Sequence, residues 1–294
     1  MMDIISVDQF DRYFVEDLCK EAVGHQSGVS TIPYQGKRDK ILANLFFEPS
    51  TRTSSSFHSA MMRLGGKVIP INEVTYSSVV KGENLEDTVR TLECYADVIV
   101  LRHSEIGAAQ RAADVCEIPI INAGDGTGEH PTQALLDIFT IQQERGTIDG
   151  LHVAVVGDLL HGRTVHSLVK LLRHFDTRIS FVAPEQLQIP DAYIRPGEQK
   201  FAALEEVIKT ADVVYMTRVQ KERLTVELTQ EQEKTYWMTE DLMSVAKDDM
   251  VLMHPLPRVK EIPSEIDADP RAAYFRQMRY GLYMRMAILD QVLS

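Results

Sequence analysis

The sequence predicts an α/β protein made of two doubly wound parallel-sheet domains, on three observations. Short apolar runs of strand length alternate with longer stretches whose apolar residues recur at helical spacing. The alternation stops at a glycine-bounded break, 146–150, and then starts afresh. The length, 294 residues, suits two domains of about 150 residues each. Domain one is expected over 1–146 and domain two over 147–271, with a C-terminal helix at 272–294 packing back on the first.

Phe10, Phe14 and Leu18 lie at helical spacing and predict an opening helix within 3–23. The run KILANLFF, 40–47, reads as a buried strand that Pro49 ends, and Ser50 or Thr51 can cap the helix that follows. Phe57, Ala60, Met61 and Leu64 give that helix, 53–64, one apolar face, and Gly65-Gly66 closes it. A strand at 67–71 follows at once, and strand, helix, strand in such quick succession is a βαβ unit with a parallel sheet. The next connection, 72–84, is long and polar at both ends, and connections of that length are usually functional or disordered. It contains Ser77, Ser78 and Lys81. A helix at 85–96, capped by Asn84, leads to a strand at 97–101 that delivers Arg102 and His103 at its carboxyl end, where open α/β sheets bind ligands. A helix at 106–116 and a strand at 118–122 empty into the glycine-rich turn 123–129. His130-Pro131-Thr132-Gln133 opens the next helix, with proline in the first turn where its missing N–H costs least.

In the second half, a strand at 151–156, a turn at 157–162 and a helix at 163–175 resemble the start of a nucleotide-binding unit, but the G-x-G-x-x-G fingerprint is absent. Strands are expected at 179–183, 212–217 and 250–253, with helices near 201–211 and 230–246. Phe275, Met278, Leu282 and Leu289 mark one face of the long final helix.

The composition excludes several classes of function. A net charge of −12 argues against a nucleic-acid or anionic-membrane binder. No apolar run nears the roughly 20 residues that span a bilayer, and the acidic beginning lacks signal-peptide character, so a cytoplasmic address is expected. Cys19, Cys94 and Cys116 form no C-x-x-C pair, and His130, His161 and His166 form no H-E-x-x-H pattern. No G-x-S-x-G setting supplies a nucleophile. Neither a metal nor an organic cofactor is expected.

The strand-to-helix turn Ser50-Thr51-Arg52-Thr53 has two readings. It is a capped helix with one surface arginine, or an anion site in which free backbone N–H groups, hydroxyls and the Arg52 fork face phosphate oxygens. Other polar residues at predicted strand ends and in loops enlarge the set. Lys81, Arg102, Arg163 and Arg218 join Arg52 as cations, and Thr53, His130, Gln133 and Gln220 are neutral donors. Such a set holds anionic reactants and stabilises charge without a covalent intermediate.

F-x-E-P-S-T-R-T at 46–53 with Phe47 inside it, H-P-T-Q at 130–133 and H-P-L-P-R at 254–258 resemble the marks of the aspartate/ornithine carbamoyltransferase family, on its aspartate-using side. The likeness runs nearly end to end, through the loop 77–83, the run G-D-L-x-x-G-R-T-V-H-S at 157–167 and M-T-R-V-Q-K-E-R at 216–223. The resemblance implies transfer of the carbamoyl group of carbamoyl phosphate to the amine of L-aspartate, an early step of pyrimidine biosynthesis. It implies Ser50, Thr51, Arg52 and Thr53 on the phosphate, Arg102, His130 and Gln133 on the carbamoyl end, and Ser77 and Lys81 also binding carbamoyl phosphate. Arg52, Thr53, Lys81, Arg102 and His130 would be the catalytic set. Lys81, Arg163, Arg218 and Gln220 would hold aspartate, and the backbone of Leu256 and Pro257 would line the reacting centre. Ser77 and Lys81 are similar to residues donated by a neighbouring subunit, so a homotrimer with shared active sites is implied, with regulatory chains left open. Glu48 is a candidate to orient arginines through ion pairs.

The chain departs from the family pattern at Gly128-Glu129, before H-P-T-Q, and at Arg279-Tyr280-Gly281. Glu129 sets a carboxylate beside His130 in sequence, which would favour the protonated imidazole. Two alternatives stand beside the aspartate reading: a carbamoyltransferase with another amine acceptor such as ornithine, and a catalytically silent homologue serving as a scaffold. H-P-L-P-R with R-V-Q favours a dicarboxylate acceptor.

Overall fold

The structure is a computed structural model that describes residues 2–28, 37–72, 82–220 and 228–294. It divides into two units, one of Met1–Phe139 with Arg279–Ser294 and one of Thr140–Met278.

In the first unit, Ile41–Phe46 forms β1, Lys67–Asn72 β2, Val98–His103 β3 and Ile120–Asp125 β4. All pair in parallel in the order β2-β1-β3-β4. β1 is buried from Leu42 to Phe46, as expected of a strand covered on both faces. The helices are α1 (Arg12–Ser27), α2 (Thr51–Arg63), α3 (Leu85–Glu93), α4 (Ala108–Ala113) and the first part of α5 (Pro131–Arg145), whose residues from Thr140 belong to the second unit. Ala43, Leu45, Ile99 and Leu101 pack with Val89, Leu92, Ala108 and Ala112 in one buried cluster beneath α3 and α4. α2 ends where the glycine pair predicts: Gly65 takes φ 85 and its N–H reaches the Met62 carbonyl at 3.1 Å.

In the second unit, β5 (His152–Val156), β6 (Arg178–Val182), β7 (Gln199–Phe201), β8 (Val213–Met216) and β9 (Val251–Met253) form a parallel sheet in the order β7-β6-β5-β8-β9. Its helices include α6 (Arg163–Leu172), α7 (Gln230–Lys234) and α8 (Glu240–Val245). The long α9 (Tyr274–Val292) returns the chain to the first unit, to which Arg279 onward belongs. Both sheets grow outward in two directions from their first strand. The switch points therefore lie between β1 and β3 and between β5 and β8, where ligands of open α/β sheets bind. Among the described residues no helix is long and apolar enough to cross a membrane.

Three expected elements differ. The opening helix is two pieces, because Ser6 caps a short 3-10 helix at Val7–Gln9 and Asp11 then caps α1 anew. Ahead of both, Ile4 pairs with Ile121 and extends the sheet beside β4. The helix expected near 201–211 is instead β7 and a single 3-10 turn, Leu204–Glu206, closed when the Glu206 carboxylate accepts the N–H groups of Ala202 and Ala203. The helix expected at 230–246 is split into α7 and α8, because Thr239 caps a new start and the Met238 N–H leaves for the Glu261 carbonyl at 2.8 Å.

Candidate active site

The first unit gathers its polar residues beyond the carboxyl ends of β1, β3 and β4. Ser50 occupies the N-cap position of α2, yet its side chain makes no capping hydrogen bond, and no acidic residue stands in the first turn. The positive end of the helix is thus left for an external anion. Arg52 is exposed beside it and Thr53 is buried. Asn44, fully buried in the middle of β1, fixes this turn: its Nδ2 donates to the Ser54 carbonyl at 3.1 Å and to Ser54 Oγ at 2.9 Å.

Arg102 at the end of β3 is joined to this loop through both backbone and side chain. The Phe47 N–H donates to the Arg102 carbonyl at 2.9 Å, and Phe47 meets the His103 ring edge to face at 4.6 Å. Arg102 Nε lies 3.3 Å from Glu48 Oε2, an ion pair without a hydrogen bond through that nitrogen. Burial lowers the guanidinium's pKa and the Glu48 charge opposes the shift. The ion pair expected between Glu48 and an arginine is present here.

β4 delivers His130 through a braced turn. Asp125 accepts the Gly107 N–H at 2.9 Å and the Glu129 N–H at 2.8 Å, and the Gly126 N–H donates to the His103 carbonyl at 2.9 Å. His130 and Gln133 are both buried in the opening turn of α5, and the Gln133 N–H donates to the His130 carbonyl at 3.0 Å. The Glu129 carboxylate accepts the Val7 N–H at 2.7 Å, so this departure from the family pattern anchors the N-terminal segment. Tyr280, another departure, meets Phe139 edge to face at 5.8 Å.

The second unit repeats the plan beyond β5, β8 and β9. β5 ends at Gly157, with φ 113; a side chain there would put Cβ 2.2 Å from the Thr217 carbonyl oxygen, so only glycine allows the two strand ends to run this close. Asp158, fully buried, accepts the His161 N–H at 3.0 Å on Oδ1 and the Gln220 N–H at 3.1 Å on Oδ2. Gln220 Nε2 donates to the His161 carbonyl at 2.9 Å. These bonds tie the loop before Arg163, the first residue of α6, to the loop carrying Arg218 and Gln220. Arg218 Nη1 donates to the Val219 carbonyl at 3.3 Å. Beyond β9, Leu256 adopts φ 56 and is followed by a cis bond to Pro257. Arg258 is engaged by Asp267, Nη2 to Oδ2 at 2.6 Å, and by Tyr274.

The structure therefore collects Ser50, Thr51, Arg52, Thr53, Arg102, His130 and Gln133 at one sheet end of the first unit. It collects Arg163, Arg218, Gln220, Leu256 and Pro257 at one sheet end of the second. Ser77 and Lys81 lie outside the described residues, as do 221–223 of the run at 216–223. Asn44, Asp137 and Glu261 escaped the sequence reading. The signal in each case was a polar side chain inside an apolar run or next to a quoted motif: the Asn of LANLF, the Asp of LLDIF, and the Glu three positions past H-P-L-P-R.

An uncapped helix start in one parallel-sheet unit, with arginines at a helix start and beyond a strand end of a second, marks a two-unit α/β protein. Comparison with known proteins narrows the class. A family model described as the carbamoyl-P binding domain of aspartate/ornithine carbamoyltransferase matches residues 2–143, and one described as the Asp/Orn binding domain matches 149–292. The aspartate carbamoyltransferase catalytic subunit of Archaeoglobus fulgidus is 46% identical, covering 100% of this chain and 99% of its own. The multifunctional protein pyr1-3 of Dictyostelium discoideum is 47% identical over 98% of this chain, which spans only 13% of that protein's length. A crystal structure of Trypanosoma cruzi aspartate transcarbamoylase with carbamoyl phosphate and aspartate superposes with a TM-score of 0.92 at 44% identity, covering 99% of this chain and 95% of that one. The chain belongs to the aspartate/ornithine carbamoyltransferase family.

Proposed function

We propose that the protein transfers the carbamoyl group of carbamoyl phosphate to the amino group of L-aspartate, giving N-carbamoyl-L-aspartate and phosphate, as an early step of pyrimidine biosynthesis. The observation that carries this reading is the uncapped start of α2, with Arg102, His130 and Gln133 delivered beyond the neighbouring strands β3 and β4. Ser50, Thr51, Arg52 and Thr53 bind the phosphate through backbone N–H groups, hydroxyls and a guanidinium fork. Thr53, Arg102 and His130 donate to the carbamoyl oxygen and stabilise the oxyanion that develops there. The aspartate nitrogen attacks the carbamoyl carbon, the carbon–oxygen bond to phosphorus breaks, and phosphate leaves with the electron pair and takes up the proton lost from the amine. Arg163, Arg218 and Gln220 bind the carboxylates of aspartate, and the Leu256 and Pro257 backbone accepts from the amino groups.

Ser77 and Lys81 reach the site of a neighbouring copy in a homotrimer, which native mass measurement tests together with any regulatory chain. The free thiols of Cys19, Cys94 and Cys116 suit a reducing compartment such as the cytoplasm.

The deciding assay supplies carbamoyl phosphate with aspartate or with ornithine and measures phosphate release and the carbamoylated amine. Turnover with aspartate is the expected result. Turnover with ornithine alone moves the acceptor to the other branch of the family, and turnover with neither overturns the enzymatic reading in favour of a silent scaffold.

A further inference from the structure

Gln133 Nε2 donates to Asp137 Oδ1, one helical turn further along α5, at 2.9 Å, and both side chains are buried. A primary amide donates from its nitrogen and accepts at its oxygen, whereas a carboxylate only accepts. Asp137 therefore takes the NH2 end of Gln133 and turns Oε1 outward. Among the described residues, Oε1 has no hydrogen-bond partner within the chain.

Asp137 lies within electrostatic reach of a deeper cation. Arg285 of α9 is 4% exposed; burial lowers its pKa to about 10 and the Asp137 charge opposes the shift, so the guanidinium stays protonated at neutral pH. Its Nη1 donates to Ser56 Oγ on α2 at 2.8 Å, and its central carbon lies 5.2 Å from the centre of the Phe57 ring. Gly281 makes room for it, since a Cβ there would stand 3.0 Å from Arg285 Nη1 and 3.0 Å from Leu136 Cδ2. A hydrogen bond joins Ser56 of the helix that begins with S-T-R-T to Arg285, a hydrogen bond joins Gln133 of the helix that begins with H-P-T-Q to Asp137, and the charges of Arg285 and Asp137 act on each other between them.

We propose that Asp137 is a positioning residue that fixes Gln133 as a pure acceptor, so that the site selects a phosphoryl donor bearing N–H groups on its carbonyl carbon, carbamoyl phosphate, over its methyl counterpart acetyl phosphate. This rests on the proposed function, in which Gln133 faces the carbamoyl end. An NH2 group donates to the waiting Oε1, while a methyl group of nearly the same size leaves that oxygen desolvated and unpaired. Discrimination of roughly ten- to a hundredfold in dissociation constant follows from one such unmade bond.

The test measures equilibrium binding of carbamoyl phosphate and acetyl phosphate, with inorganic phosphate as a control for the anion site. The natural protein is expected to bind carbamoyl phosphate at least about tenfold more tightly than acetyl phosphate; equal affinities overturn the proposal. Asp137→Asn can donate to Gln133 as well as accept, which lets the amide turn over. In this variant the ratio is expected to fall toward one, with binding of inorganic phosphate unchanged. Asp137→Asn combined with Arg285→Met removes the buried charge along with its partner, so the same ratio can be read if the single variant is unstable. A ratio that stays at the natural value in either folded variant overturns the proposal. Failure of the natural protein to make carbamoyl aspartate while still preferring carbamoyl phosphate tells against the proposed function and leaves the positioning role standing.

Discussion

The ring of His254 is fixed by Glu261: Nε2 lies 2.8 Å from Glu261 Oε1, while Nδ1 lies 2.8 Å from the Leu256 N–H. Nδ1 must carry a lone pair to accept from a backbone N–H, so Nε2 bears the proton and donates it in a hydrogen bond to the carboxylate. Burial pushes the Glu261 carboxyl up, but hydrogen bonds from His254 and from backbone N–H groups prevail and hold it below the usual carboxylate range. The arrangement secures Leu256 at φ 56, a region that costs a leucine on the order of 1 kcal/mol or more.

His254→Leu removes both bonds and is expected to destabilise the protein by about 1.5–3 kcal/mol, the usual range for a lost hydrogen bond to a charged group. Turnover is expected to fall as well, through release of the Leu256 turn. His254→Asn restores an acceptor near the Nδ1 position and should recover part of the activity. Thermal melting and initial rates on the two variants check this, and equal activity in both would remove the positioning role.

The strand-end residues were legible because their position follows from alternation alone: a strand that ends at Phe46 must release Ser50 to Thr53 at the sheet's carboxyl edge, and the same holds for Arg102 and His130. The buried polar residues behind them were not legible. Asn44 reads as a flaw in an apolar strand until Ser54 is folded over it, and Asp137 needs Arg285 from the far end of the chain. The two misread helices of the second unit failed for a local reason, since Glu206 and Thr239 make capping bonds that end or restart a helix where apolar spacing alone would continue it.

Acid is expected to weaken the fold before it reaches the carboxylate range. Burial lowers the pKa of His103, His152 and His166 below the ordinary value of 6.5, in His166 against a hydrogen bond to the Leu159 carbonyl. The unfolded chain then takes up protons that the folded chain refuses. Their contribution to stability is complete above pH 6.5 and is lost as pH falls through the folded values, at up to roughly 1.4 kcal/mol per pH unit for each histidine. Melting temperatures measured from pH 8 down to pH 5 should drop over that interval. His166→Gln keeps a donor for the Leu159 carbonyl and should flatten the slope by one proton; an unchanged slope would show that His166 is not among the groups responsible.

Asn44→Leu is expected to weaken phosphate binding without touching any residue that contacts phosphate. Leucine keeps the apolar character of β1 but gives up both bonds that hold the first turn of α2. Each lost bond is worth about 0.5–1.5 kcal/mol. Titration with inorganic phosphate should show a several-fold weaker dissociation constant alongside a lowered melting temperature. Loss of stability with unchanged phosphate affinity would make Asn44 a core residue only.

Arg52→Ala separates charge from architecture at the same turn. Arg52 is exposed, and its replacement leaves the Asn44 bonds to Ser54 and the burial of Thr53 in place, so the melting temperature should move little. In the proposed reaction Arg52 faces a phosphate that gains negative charge as the carbon–oxygen bond breaks, so the guanidinium would stabilise the transition state more than the bound substrate. The expected result is a fall in kcat of roughly 10²–10³-fold, the size seen when one charge-stabilising donor is removed. Loss confined to KM would mean that Arg52 binds carbamoyl phosphate and its transition state equally. Arg52→Lys restores the charge without the planar fork and should recover only part of the rate, because a point charge cannot match two phosphate oxygens at once.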